Sequence, residues 1–167
     1  MGRLSIDVSA LPDITQSEMD FLDSSFFRPN NSVERPQLPS PSSIVAQYGD
    51  GGTRIIRIDA LNMIVKIDYT NHMRLEEVQT MLAIRQLFSC DDLPVPEVFG
   101  WRLHGHQLFI YMSLIRGETL RQASPRLTQI DKISIQSDIS RVIMLLRQIV
   151  QENPKNICMV IAFGFPS

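Results

Sequence analysis

The segment that decides the fold is DGGTRIIRIDALNMIVKID, residues 50–68. It begins with a glycine turn, followed by a β-branched run over residues 53–59 and, after a tight connection, by a second apolar run over residues 62–68. Runs of this kind, bounded by turn residues, are typical of strands, and two of them joined by a short connection form a hairpin. The segment therefore predicts a β-hairpin.

The second predicted strand carries one cation, Lys66, within the otherwise apolar stretch NMIVKIDY, residues 62–69. A lysine on a strand below a glycine-rich turn can neutralise and position nucleotide phosphates, as the strand lysine of kinases does. The alternative is that Lys66 lies on an edge strand and extends its amine into solvent. Spacing alone leaves both interpretations open.

A helix is predicted directly after the hairpin, over residues 74–88. Its apolar residues recur at helical spacing and form one stripe that includes Val78, Met81 and Phe88. Glu77 lies at the edge of this buried face, where an unpaired carboxylate would be costly. A pair between Glu77 and Lys66 would remove that cost, and the alternative is that Glu77 contacts only water.

The remaining elements follow from similar patterns. The proline-rich stretch DDLPVPE leads into a predicted strand at VFGWRL, and the turn HGHQ leads into LFIYMSLI, an apolar run typical of a central strand. Gly117 precedes a short helix, and Thr128-x-x-Asp131 marks the start of the longest helix, which runs to about residue 151. The order is strand, strand, helix, strand, strand, then helices.

The N-terminal part predicts an extension outside this core. Residues 13–27 have a capping-box pattern and an apolar face, which favour a short helix. Residues 28–43 contain four prolines and few apolar side chains, which favour an extended linker rather than an element of the core. Three regions are therefore expected: residues 1–45 as a helix and linker, 46–115 as the sheet region, and 116–167 as the beginning of a helical region.

Composition and charge exclude several classes of protein. The formal net charge of -2 and the absence of a basic block argue against a nucleic-acid partner. Cys90 and Cys158 are far apart, which favours reduced thiols, and no signal peptide or apolar run of about 20 residues is seen. We expect a cytoplasmic protein without a membrane anchor. The apolar stretch ICMVIAFGFPS, residues 157–167, predicts a contact with a protein partner or with more of the same domain.

Other candidate sites are weaker. Gly51 and Gly52 could let backbone N–H groups approach phosphates, but YGDGG does not match GxGxxG, and glycines next to aspartate most often form an ordinary turn. The pair His104 and His106 has no third ligand nearby in the sequence, so no metal site is predicted. No GxSxG motif supports a hydrolase.

Together, four stretches resemble the aminoglycoside phosphotransferase and choline-kinase-like family of small-molecule kinases, particularly its fungal-type members. They are GGTRIIRIDALNMIVKI, LPVPEVFGW, LFIYMSLIRGETL and DISRVIMLLRQI, and they cover roughly residues 50–160. The resemblance implies an α+β fold. Its first part would be a protein-kinase-like small lobe, a five-stranded antiparallel sheet with one packed helix, followed by the first helices of a truncated large lobe.

The resemblance also implies an ATP site. Lys66 would bind phosphates, and Met112 would lie at the back of the adenine pocket. The backbone of Ser113, Leu114 and Ile115 would form the hinge that hydrogen-bonds adenine. The family pattern places its helix acid opposite Gln79, whereas the helical projection favours Glu77, so the partner of Lys66 stays open between these two.

No catalytic residue is assigned. The family supplies its catalytic aspartate from an HGDxxxxN loop and a magnesium-binding aspartate after it, and none of the histidines in this chain is followed by Gly-Asp. Mg²⁺ would therefore lack most of its ligands, and ATP binding is expected to be weak or vestigial. The resemblance implies phosphotransferase ancestry without activity in this chain alone. The alternative is a non-catalytic module that binds nucleotide or another protein.

Overall fold

The computed structural model describes residues 4–28 and 35–150. Its strands are β1 (Leu4–Ser5), β2 (Glu18–Asp20), β3 (Arg54–Ile58), β4 (Met63–Tyr69), β5 (Val98–His104), β6 (Gln107–Ser113) and β7 (Ile149–Val150). Its helices are α1 (Pro41–Tyr48), α2 (Glu76–Leu87), α3 (Leu120–Ala123) and α4 (Gln129–Leu146). The fold is therefore α+β, as predicted.

The main sheet has five antiparallel strands in the order β2, β5, β6, β4, β3. Strands β1 and β7 form a separate parallel pair. The prediction of a five-stranded antiparallel sheet is confirmed. The sequence pattern indicates only the four strands β3 to β6, and the fifth, β2, comes from the N-terminal segment.

The predicted hairpin is present as β3 and β4. Arg54 pairs with Ile67 and Ile58 pairs with Met63, so the register is continuous along the hairpin. The connection is a short helical turn that ends at Asn62, whose φ of 46° lies in the left-handed region that asparagine tolerates better than most residues. The connection thus aligns the apolar residues of both strands.

The sheet has an apolar cluster on each face because side chains alternate along a strand. The helix α2 covers the face that carries Lys66, and α1 covers the other. The buried residues of the α2 face are Met73, Val78, Met81, Val98, Trp101, Leu108, Ile110 and Met112. The buried residues of the α1 face are Phe27, Leu38, Ile44, Ile56, Met63, Val65, Ile67, Phe99, Phe109 and Tyr111.

The predicted helix over residues 13–27 is wrong. Residues 18–20 form strand β2, in which Met19 pairs with Trp101 of β5. The backbone N–H of Phe21 donates to the carbonyl oxygen of Phe99 at 2.9 Å. A short segment has only a weak helical preference, and the open edge of β5 satisfies its backbone instead.

The prediction that residues 28–43 lie outside the core is also wrong for the described part of that segment. Leu38 is buried in the α1-face cluster, and the phenol of Tyr111 donates to the carbonyl oxygen of Pro39 at 2.7 Å. Ser40 caps α1, and Pro41 occupies its first turn. This Ser-Pro pair is a helix-start signal that the proline count obscured. The expected boundary at residues 45–46 falls inside α1.

α2 lies within its predicted range, and Thr128 and Asp131 form the predicted capping box of α4. The predicted end of α4 near residue 151 is wrong: the helix ends at Leu146, and Ile149–Val150 form strand β7, whose backbone pairs with Leu4–Ser5. No residue of α4 is buried, and Ile130 and Ile133 are largely exposed. The apolar tail and Cys158 lie outside the described residues. Across residues 4–28 and 35–150, no helix combines the length and the apolar character that crossing a membrane requires.

Candidate functional site

The centre of the candidate site is an ion pair between β4 and α2. Lys66 Nζ lies 2.6 Å from Glu77 Oε1 and 2.7 Å from Oε2, so the ammonium group donates to both carboxylate oxygens. The lysine side chain is 29% exposed and the glutamate side chain 37% exposed. A pair this open to solvent contributes only about 0–1 kcal/mol to stability. Its lysine is anchored by the sheet and still accessible to an anion.

The structure decides which helix residue faces Lys66. Glu77 does, whereas Gln79 points elsewhere, and its Nε2 donates to the carbonyl oxygen of Pro12 at 3.0 Å. Lys66 itself lies on β4, which has β3 on one side and β6 on the other, so it is not on an edge strand. Of the two interpretations of Lys66, the simple edge-strand cation is therefore excluded by its position.

The glycine turn lies at the start of the strand next to Lys66. Gly51 and Gly52 have φ values of +105° and +76°, which favour glycine, and a Cβ on either would meet no atom within 4 Å. Ile55 of β3 pairs with Lys66. The turn therefore leads directly into the neighbouring strand at the level of the lysine, with open space around it.

A polar contact fixes this turn to β4. Thr53 Oγ1 donates to Asp68 Oδ1 at 2.7 Å, and the backbone N–H of Tyr69 donates to the same oxygen at 2.7 Å. His72 Nδ1 lies 3.4 Å from it. The hydrogen bond from Thr53 is the largest of the effects that lower the pKa of Asp68 below its ordinary value, and burial opposes it.

The lowered pKa of Asp68 predicts a pH-dependent contribution to stability. The folded state binds the proton more weakly than the unfolded state, so the contribution is complete above the ordinary pKa and is lost as pH falls through the lowered one. We expect Asp68→Asn to lower Tm at about pH 6, where it removes the charge but keeps an acceptor. The Tm difference from wild type should shrink below about pH 4. A constant difference from pH 7 to pH 3 would contradict this assignment.

The predicted hinge follows β6. Met112 is buried on the same face as Lys66, because it pairs with Ile64, two residues before the lysine. The N–H of Ser113 donates to the Glu97 carbonyl oxygen at 2.8 Å, and that of Leu114 donates to the Asn62 carbonyl oxygen at 2.8 Å.

Two of the three hinge N–H groups, those of Ser113 and Leu114, thus already donate to carbonyl oxygens of the chain. Ile115 comes next, its side chain is exposed, and no acceptor for its N–H is found among the described residues. If the segment binds a base, Ile115 supplies the available N–H group.

Other candidate positions are separate from this centre. His104 and His106 flank the turn between β5 and β6 and are exposed. Within the described ranges, no three His, Cys, Asp or Glu side chains are grouped closely enough to hold a metal ion. A cavity of about 340 Å³ lies between α3 and α4, and another of about 460 Å³ lies between the N-terminal segment and α2; neither is lined by Lys66 or Glu77.

Comparisons of the chain with protein-family models, with curated proteins and with solved structures found no match. The resemblance to small-molecule kinases therefore stays a prediction.

Sequence reasoning missed the contact between Thr53 and Asp68. The signal was available in the hairpin: once the connection is placed at residues 59–62, Arg54 lies opposite Ile67, and the next pair outward is Thr53 and Asp68. Sequence reasoning also missed the bond from Gln79 to Pro12. No pattern in the sequence could have shown that bond, because the two residues are joined only by the packing of the N-terminal segment.

Proposed function

We propose that the sheet face around Lys66 binds a nucleotide triphosphate, ATP in the first instance, and that the chain is the nucleotide-binding part of a kinase-like phosphotransferase of small molecules. The observation that carries the proposal is the Lys66–Glu77 ion pair. A strand lysine held by a glutamate of the following helix is the arrangement that protein kinases need around their bound nucleotide.

The phosphates would be held by Lys66 and by backbone N–H groups of the glycine turn. Lys66 supplies a point charge that Glu77 orients without burying, and Gly51 and Gly52 leave room for close approach of an anion. Thr53, fixed by Asp68, would hold the turn beside the lysine. This arrangement binds and orients negative charge.

The base would lie between Ile64 and Met112 on the sheet and the hinge. The N–H of Ile115, for which no acceptor is found among the described residues, and the carbonyl oxygens of the hinge are the polar groups that a purine edge would contact. The partly buried Ile64 and the buried Met112 would supply an apolar wall, which is the usual lining of a nucleotide pocket.

The proposal for the described residues concerns binding. Phosphoryl transfer depends on metal ions that neutralise the developing charge. The described residues do not group the carboxylates that would hold such ions. We therefore assign no catalytic residue and derive no transfer step.

The test is titration calorimetry of the chain with ATP. We expect weak binding, and Lys66→Met should weaken it at least about tenfold, or about 1.4 kcal/mol. Because about one third of each side chain of the ion pair is exposed to solvent, the same variant should lose no more than about 1 kcal/mol of stability. Lys66→Met should thus lower ATP affinity clearly while changing the free energy of unfolding only slightly.

Lys132→Met is the matched control, since Lys132 is an exposed lysine of α4. It should leave ATP affinity unchanged. Absence of heat with the wild-type chain, or equal affinity of wild type and Lys66→Met, would refute the nucleotide site.

A further inference from the structure

The segment of residues 12–21, here called the strap, connects the edge of the sheet with α2. The indole Nε1 of Trp101 donates to the carbonyl oxygen of Gln16 at 3.1 Å, and the N–H of Leu103 donates to that of Ser17 at 2.7 Å. At its other end, Pro12 accepts the bond from Gln79 of α2. The strap is thus attached to strand β5 and to the helix that carries Glu77.

The helix α2 is consequently held by polar contacts on two sides. Glu77 and Gln79 are two positions apart, or about 200° around a helix, so their side chains leave it in nearly opposite directions. Glu77 binds Lys66 on one side, and Gln79 binds the strap on the other. A rotation of α2 that kept one contact would strain the other.

The apolar contacts of α2 do not set this rotation as sharply. Val78 and Met81 are buried in the α2-face cluster, and hydrophobic burial is non-directional, so it favours this face of the helix without fixing a particular pair of polar atoms. A groove of about 460 Å³, open to solvent, lies between the N-terminal segment and α2 and is lined by Ala10, Pro12, Phe21, Leu82, Arg85 and Gln86. The bond from Gln79 to Pro12 is the directional contact that links α2 to the strap.

We propose that the strap sets the rotation of α2 through Gln79 and thereby controls how firmly Glu77 holds Lys66. Gln79 is a positioning residue in this scheme, and lifting the strap frees the lysine from its carboxylate. The effect on nucleotide binding rests on the proposed function, whereas the coupling between strap and ion pair does not.

The test measures the reactivity of Lys66 toward acetic anhydride in the full chain without nucleotide, by peptide mass spectrometry. Acetylation requires a free amine, so the ion pair protects Lys66. Lys132 is the internal reference, and Glu77→Gln gives the rate for an unprotected Lys66. We expect Gln79→Glu to raise the rate at least threefold relative to Lys132, because a carboxylate would face the Pro12 carbonyl oxygen. Gln79→Ala should raise it less.

Gln47→Ala is the matched control, since Gln47 is an exposed glutamine of α1, on the other face of the sheet. It should leave the rate unchanged. An unchanged Lys66 rate in both folded Gln79 variants would overturn the proposal, as would an equal rise in Gln47→Ala. If the wild-type chain binds no ATP while Gln79→Glu still raises the acetylation rate of Lys66, the proposed nucleotide site is refuted and the coupling between the strap and the ion pair is supported. If ATP binds to the wild-type chain but the acetylation rate of Lys66 does not change in the Gln79 variants, only the coupling between the strap and the ion pair is refuted.

Discussion

The Gly100→Ala variant should lose about 3 kcal/mol of unfolding free energy. Gly100 lies on β5 opposite Asp20 of β2. A Cβ at this position would lie 2.3 Å from the carbonyl oxygen of Met19 and 2.9 Å from Leu38 Cδ1. The oxygen belongs to the backbone of the paired strand and cannot rotate away, so β2 itself would have to move. Urea denaturation followed by tryptophan fluorescence would measure the loss.

Gly105→Asn is the control for this variant. Gly105 lies in the turn between β5 and β6, and a Cβ there would meet no atom within 4 Å. Its φ of +60° is one that asparagine can adopt, so the cost should stay below about 1 kcal/mol. If Gly100→Ala and Gly105→Asn lower the unfolding free energy by the same amount, the close approach of β2 to Gly100 is contradicted.

The Trp101→Ala variant should cost about 4 kcal/mol, comparable with the total stability of many domains. The Trp101 side chain is completely buried, its ring packs against Phe21 with the centroids 5.7 Å apart, and its Nε1 donates to Gln16. The substitution removes the buried apolar surface of the indole and leaves a cavity under α2. It also removes the hydrogen bond that the indole donates to the carbonyl oxygen of Gln16 in the strap. Thermal and urea unfolding should both show the loss.

Two further variants separate these contributions. Trp101→Phe keeps most of the buried area and should cost about 1–2 kcal/mol, largely from the lost hydrogen bond. Leu103→Ala removes a half-exposed side chain of the same strand and should cost less than about 1 kcal/mol. A cost for Trp101→Ala no larger than that for Leu103→Ala would contradict the burial of the indole.

The elements around the candidate site were largely predictable because their signals are local. The hairpin followed from two β-branched runs and a short connection, and α2 followed from its apolar stripe. The position of Glu77 at the edge of that stripe made it one of two candidate partners of Lys66, and the structure contains the Lys66–Glu77 pair. In each case, residues close in the sequence carried the pattern. The nucleotide role of the pair is still a prediction.

The N-terminal segment was not predictable from the same kinds of signal. Its residues 13–27 have a helical pattern, yet Glu18–Asp20 form a strand because the edge of β5 offers backbone partners that a short helix cannot match. Leu38 belongs to the core although it lies in a proline-rich stretch, because the face of the sheet opposite α2 needs apolar cover. Both outcomes depend on surfaces formed far along the chain.

The sequence by itself therefore determined the hairpin, the lysine on its second strand and the helix that follows. These features depend on hydrophobic periodicity and on residues that are close along the chain. Only the tertiary structure decided that Glu77 rather than Gln79 binds Lys66, and that Gln79 instead holds residues 12–21. The physical reason is that a helix side chain finds its partner through the rotation of the whole helix. That rotation is set by contacts with strands and segments that the helical pattern does not contain.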